Sequence, residues 1–233
     1  MLAHRIIPVM LTKGRTLVKG QRFINDRVIG VAAQAARIHA ARGVDELLLI
    51  DITATAEGRI PDLKLVGDLC NGNFSPITVG GGVQTVANVD ALLRAGADRV
   101  LVGAAARRDL GLVRECAQHF GCQAITVAID YPDQSIADAV HAAEAGAGEI
   151  VLNNKERDGT LEGLDIELIR HAAKALPVPL VACGGTSGYE DMRRALEAGA
   201  SAVGVGALFS FCDATPLGAV KYLRSKGLEV RVP

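Results

Sequence analysis

The sequence has almost no net charge, no long apolar run and no paired cysteines, and each shortage removes a class of function. Lysine and arginine number 25 against 26 aspartates and glutamates, a formal net charge of −1. That balance gives no electrostatic ground for binding nucleic acid or an anionic membrane. No apolar stretch reaches the length of a membrane span, and Met1-Leu2-Ala3-His4-Arg5 leads into a short apolar run without the layout of a signal peptide. A cytoplasmic protein is expected. The five cysteines, Cys70, Cys116, Cys122, Cys183 and Cys212, are odd in number, widely spaced and free of any CxxC pair, so reduced thiols are expected. Cys183, next to Gly184-Gly185, reads as a small buried residue at a strand end. One further absence is local. Residues 5–11, RIIPVML, read as a buried strand running into the loop Lys13-Gly14-Arg15. If that strand ends in an active site, a reactive group is expected near position 11, and leucine stands there.

What is present is apolar material in a repeating order. With 49% hydrophobic and 22% charged residues, a chain of 233 residues can bury a large core. Short apolar runs at 6–11, 47–50, 77–79, 100–102, 124–129, 150–152, 180–182 and 202–205 read as eight strands. Alanine-rich amphipathic stretches such as VAAQAARIHAARG, VANVDALLRAGA and YEDMRRALEAGA lie between them, each with a glycine suited to a helix C-cap. Near-continuous apolar strands alternating with eight helices imply a parallel sheet covered on both faces. A (β/α)8 barrel and a doubly wound open sheet both have that pattern.

Internal similarity favours the barrel. PITVGGG at 76–82 reappears as PLVACGG at 179–185, and RAGADRVLVGAA at 94–105 as EAGASAVGVGAL at 197–208. Both pairs are offset by 103 residues, and the same offset lays Gly43–Leu47 on Gly146–Ile150. A single barrel spanning 1–233 is expected, with half-barrels at roughly 1–122 and 123–233. IIPVML and AITVAID align at an offset of 119, because the first half carries a longer loop there, and this sets Leu11 opposite Asp130. Asp130 then stands at the C-terminal end of its strand, where barrel enzymes place catalytic groups. The matching position has no carboxylate.

Two further sets of residues follow from the repeat. Glycine turns after the third and seventh strands (Gly80-Gly81-Gly82, Gly184-Gly185) and Gly103-Ala104 and Gly206-Ala207 after the fourth and eighth leave backbone amides free of side chains. Gly82, Gly103, Ala104, Gly185, Gly206 and Ala207 are therefore candidate phosphate contacts on two sides of the mouth, for a ligand phosphorylated at both ends. For any one glycine, a tight strand-to-helix turn is the simpler explanation. At the opposite ends of the strands stand Arg5, Glu46, Arg99 and Glu149, able to form a neutral ring across the barrel floor. The ring reads equally well as ion pairs that close the core and as a gate.

Several motifs carry a family resemblance from nearly one end of the chain to the other: RIIP and LVKG..F at 5–23, DELLLIDITA at 45–54, TVGGG at 78–82, GADRV at 96–100, VAID at 127–130, and GAGEIVLN with ERDGT up to Thr160. In this order they resemble the cyclase subunit of imidazole glycerol phosphate synthase. A sister isomerase of histidine biosynthesis shares the half-barrel repeat but matches DELLLIDITA and ERDGT less well. The resemblance implies a glutaminase docked on the N-terminal face, ammonia crossing the barrel, and cyclisation of a bis-phosphorylated ribonucleotide by two aspartates at the C-terminal face. It implies no cofactor, no metal and no nucleic acid or membrane partner. Arg5, Glu46, Arg99 and Glu149 fall on the gate, with arginine at 99 where lysine is usual. Asp98 falls on a residue facing the glutaminase, Asp130 on one catalytic aspartate, Lys19 on the supporting lysine, and Gly159 of ERDGT on a phosphate contact. Leu11 falls on the other aspartate, Gly103 on a usual asparagine, and the extension after Asp130 is cut to YPDQS.

Opposed proton transfers need two groups of suitable pKa, and leucine supplies none. The resemblance therefore leans towards a paralogous branch that works with a glutaminase and a third protein in amidation of nucleotide-linked sugars for surface polysaccharides. LVKG..F.....IG and the Leu-Asn of IVLNN also look like that branch. A phosphorylated or nucleotide-linked sugar is then the expected acceptor. The alternatives are a working cyclase of histidine biosynthesis and a docking and conduit subunit without chemistry of its own.

Overall fold

The computed structural model describes residues 3–71 and 75–231; Met1 and Leu2, part of the N-terminal stretch read above, lie outside them. Eight parallel strands form the wall: β1 (Arg5–Lys13), β4 (Leu47–Asp51), β5 (Ile77–Gly80), β6 (Arg99–Val102), β7 (Ile125–Tyr131), β8 (Glu149–Asn154), β9 (Leu180–Cys183) and β10 (Ala202–Val205). Each pairs with the next, and β10 pairs with β1, so the sheet closes on itself. The protein is a (β/α)8 barrel.

The expected long loop of the first half is structured instead. It is an antiparallel hairpin, β2 (Thr16–Gln21) and β3 (Ile24–Val31), and β2 takes over the edge of β1 at Leu11–Lys13, beyond the Arg5–Pro8 segment paired with β10. Its alternation is hidden because β3 is mostly exposed while β2 buries Lys19 and Gly20 along with Leu17 and Val18. The strand expected from 124 begins at Ile125, since Ala124 closes a 3-10 turn, and it continues to Tyr131.

Ten α-helices are present among the described residues, two more than the eight expected. The additions are five-residue helices, α4 (Ala104–Arg108) and α9 (Ala207–Phe211), at equivalent places after β6 and β10. The long ones are α1 (Ala32–Ala41), α2 (Leu63–Cys70), α3 (Val86–Arg94), α5 (Gly111–Phe120), α6 (Ile136–Glu144), α7 (Ile166–Ala175), α8 (Tyr189–Glu197) and α10 (Pro216–Ser225). Local chemistry starts several of them. Thr85 with Asn88 and Ser135 with Asp138 form capping boxes, and Asp62, Asp165 and Thr215 accept from first-turn amides. Each cap stabilises by about 1 kcal/mol. Gly96 and Gly199 end α3 and α8 at φ 110° and 112°. A Cβ there would come within 2.8 Å of Cys70 and Ala173 respectively, so both left-handed backbone and close helix packing require glycine. No helix among the described residues is long and apolar enough to cross a membrane.

The apolar material divides in two. The larger cluster fills the layer between strands and helices, with Leu47, Leu92, Ile125, Ile150, Met192 and Leu223 among its fully buried side chains. Inside the barrel, Ile7, Leu48, Leu101, Val151, Val181 and Ala202 form a separate plug. The plug divides a charged floor from an open mouth.

Candidate functional site

The strand register confirms the alignment that singled out position 11. Leu11 pairs with Ile50 and Asp130 with Asn153, pairs related by the offsets of 119 and 103. β1 and β7 lie four strands apart around the eight, so the two positions face each other across the mouth. Both line one cavity of about 280 Å³ at the C-terminal ends of the strands. The cavity is also lined by Lys19, Gly82, Gly103, Ala104, Gly159, Gly185, Gly206 and Ala207, so the sequence-derived mouth residues are brought together without exception.

The cavity's carboxylates are not equivalent. Asp51 is buried and held by Arg59 at 2.6 Å and by Thr53. Asp158 receives both its oxygens' hydrogen bonds from Lys19 Nζ, at 2.8 and 2.9 Å, and Lys19 is only 3% exposed. Lys19 therefore shares the cavity with Asp130 while its ion pair is to Asp158. Asp130 accepts a bond of 3.3 Å from Asn153 Nδ2. Burial pushes its carboxyl above the ordinary aspartate range, against the lowering effects of Asn153 and Lys155. A carboxyl so placed is suited to hold or release a proton. Burial also pushes the Cys183 thiol up to about 12, so it stays protonated.

The glycine turns separate into two kinds. A Cβ on Gly81 would lie 2.3 Å from the Asp51 carbonyl oxygen, and one on Gly184 2.4 Å from that of Asn154. Gly82 and Gly185 are crowded by Arg59 and Gly163 oxygens, and Gly159 by the Gly20 oxygen at 2.2 Å. Close loop packing explains these five without a ligand. Gly103 is different, because a Cβ there would meet nothing nearer than Ala128 at 3.8 Å, leaving room for a side chain. Gly103 and Gly206 precede α4 and α9, neither of which has a side-chain cap, so first-turn amides remain free beside the cavity.

Sequence reasoning missed Asp51, Asp158, Asn153, Arg108 and Thr186. Arg108 lines the cavity beside the first-half turn, where the offset of 103 puts Phe211 in the second half; comparing the halves residue by residue is the signal for it. Thr186 lines it beside the second-half turn, buried and with no hydrogen-bond partner for its hydroxyl.

At the other end, Arg5 bonds both Glu46, at 2.7 Å, and Glu149, and Arg99 bonds the same two glutamates at 3.0 and 3.1 Å. Thr78 adds a bond to Glu46 of 2.6 Å. The four expected residues form a closed ring. Asp98 is exposed at this end, its carboxylate accepting from the Ile77 amide at 2.8 Å.

Comparison with known proteins fits this geometry. A sequence model described as histidine biosynthesis protein matches residues 5–215. Similar relatives include the protein named imidazole glycerol phosphate synthase subunit HisF of Dictyoglomus turgidum, 38% identical with 100% of both chains covered. The proteins of the same name in Thermobifida fusca and Hyphomonas neptunium are 39% and 40% identical, with 99% of each chain covered.

Proposed function

Because the chain belongs to the histidine biosynthesis protein family, as a HisF-like barrel subunit, we propose that it receives ammonia from a glutaminase at its N-terminal face and delivers it to an amidation at its C-terminal face. The acceptor is a phosphorylated or nucleotide-linked sugar, and a third protein shares in the reaction. Asp130 is the proton-transfer group, and Lys19 fixes the outlet through Asp158. The free amides after Gly103 and Gly206, with Arg108 on one side and the unpartnered Thr186 hydroxyl on the other, bind the acceptor's anionic groups. Arg5, Glu46, Arg99 and Glu149 form the gate, and Asp98 faces the glutaminase. The observation that carries this reading is Leu11 standing across the mouth from Asp130: the strand position that holds a carboxyl in the second half holds leucine in the first.

A second reading, a working cyclase, is favoured by the relatives' name and by Asp51, which is in the same cavity one register step beyond Ile50. The Arg59 and Thr53 bonds keep Asp51 engaged as a structural anion, which weighs against it. Cyclase turnover with free ammonia separates the two. The expected result is turnover about 10²–10⁴-fold below that of a two-aspartate cyclase, with partial recovery in Leu11→Asp. Turnover at the ordinary level that Asp51→Asn abolishes would establish the cyclase instead.

A further inference from the structure

The offset of 103 that relates the two halves also shows where they part at the mouth. Four pairs of positions around the repeated turns carry different side chains: Val83 and Thr186, Gln84 and Ser187, Ala105 and Leu208, Arg108 and Phe211. All the first-half members line the cavity, whereas of the second-half members only Thr186 and Leu208 do. The two ends of the cavity are therefore chemically unlike.

The charges divide in the same way. The cavity's charged side chains are Lys19, Asp51, Arg108, Asp130 and Asp158. Asp51 is held by Arg59, Lys19 and Asp158 hold each other, and burial favours the neutral form of Asp130. Arg108 has no ion pair or side-chain hydrogen bond among the described residues. Lys19 stands at the second-half end, where a Cβ on Gly206 would lie 3.4 Å from its Nζ. That end is thus filled by a cation already matched by Asp158, by the apolar Leu208 and by the unpartnered Thr186 hydroxyl. Arg27 stacks on Phe211, 5.4 Å from the ring centroid, and does not line the cavity. The first-half end has the opposite character. Its guanidinium is exposed and uncompensated, Gln84 is exposed with its side-chain amide unbonded, and the space over Gly103 is open. A guanidinium's planar fork of donors matches phosphate oxygens. An anion at the second-half end would instead face the Asp158 carboxylate, while a hydroxyl there can both give to and accept from Thr186.

We propose that the mouth takes a ligand that is anionic at one end only: a phosphate ester lies over Gly103 on Arg108 and Gln84, and an uncharged, hydroxyl-bearing end lies on Thr186 and Leu208. This rests on the acceptor reading above and narrows it, making Arg108 the residue that sets which way round the acceptor binds.

Inorganic phosphate is the probe. In crystals of the full chain soaked in phosphate, one anion is expected at hydrogen-bond distance from the Arg108 guanidinium beside Gly103, and none beside Gly206. Anions at both ends, at the Gly206 end alone or at neither overturn the proposal. In solution, phosphate should shift the backbone amide signals of Gly103 and Ala104 and leave those of Gly206 and Ala207 in place. Arg108→Gln removes the charge from an exposed position and should leave the melting temperature unchanged. It should weaken phosphate binding about fivefold, the upper range for an exposed ion pair. Unaltered binding in Arg108→Gln would mean an adventitious ion only and would also overturn the proposal. None of these measurements uses a nitrogen source. Ordinary cyclase turnover, which would sink the amidation reading, is therefore scored separately from the number and place of the anions.

Discussion

Asp130 is the residue whose surroundings most directly predict a measurable property. Its carboxyl is raised chiefly by burial, so the folded protein holds that proton more tightly than the unfolded chain does. Stability from this group is therefore greatest at low pH and is lost as pH rises from the unfolded value, about 3.9, through the higher folded one. This is the opposite of the usual ion-paired aspartate. Asp130→Asn keeps the shape and the contact with Asn153 but removes the buried charge. At neutral pH it should melt higher than the parent, by about 2–4 °C for each kcal/mol gained. The difference should shrink as the pH falls through the raised folded value, below which the parent's carboxyl is neutral as well. A melting-temperature profile across this range checks the sign, and a gap independent of pH would mean that Asp130 is ionised at no cost.

Among the elements, the β2–β3 hairpin does what no sequence pattern announced. It brings Lys19 onto Asp158, 139 residues away, and lays the Arg22 amide and guanidinium on the Asp158 and Glu156 carbonyl oxygens, bonding the first β–α connection to the loop after β8. The barrel strands were legible because each is a short, near-continuous apolar run, and the glycine turns of the mouth because they repeat at a fixed offset. The hairpin was not, since its exposed strand has no alternation and its buried strand carries a lysine whose burial makes sense only with a distant partner. Asp51 and Asp158 escaped for the same reason: charges at a strand end or in a loop acquire meaning from contacts, with Arg59 and Lys19, that the chain order does not reveal. Lys19→Ala strands Asp158, which is 14% exposed in its side chain, without its cation. Loss of one partner of a buried pair is unfavourable by about 3–5 kcal/mol at most. Opening should be local, so hydrogen exchange should quicken over residues 16–31 and 155–161 while amides of β5 and β9 stay protected. Uniform acceleration across the barrel would show that the ion pair supports the whole fold rather than this connection.

For the whole molecule, the relevant fact is that two differently built ends share one axis. The mouth is a cavity with one raised carboxyl, the middle is aliphatic apart from Thr126 and Thr78, and the floor is a ring in which two arginines share two glutamates. As a plug alone the ring is an expensive choice, since apolar side chains of similar volume close a core as well or better. Glu46 and Glu149 are nearly buried, at 5% and 6% side-chain exposure, whereas Arg99 is 32% exposed. Arg99 is thus the member that solvent or a docked protein can reach, and the glutamates keep Arg5 when it is removed. Arg99→Ala should leave the barrel folded, with a loss of about 1–3 kcal/mol, less than for a fully buried pair because of that exposure. If the ring gates ammonia, the variant should depress glutamine-dependent product formation several-fold more than formation from free ammonia, which enters from the mouth. Measuring both nitrogen sources in the presence of a glutaminase, beside a melting curve of the barrel alone, separates gate from plug. A plug predicts a lower melting temperature with the two sources affected equally.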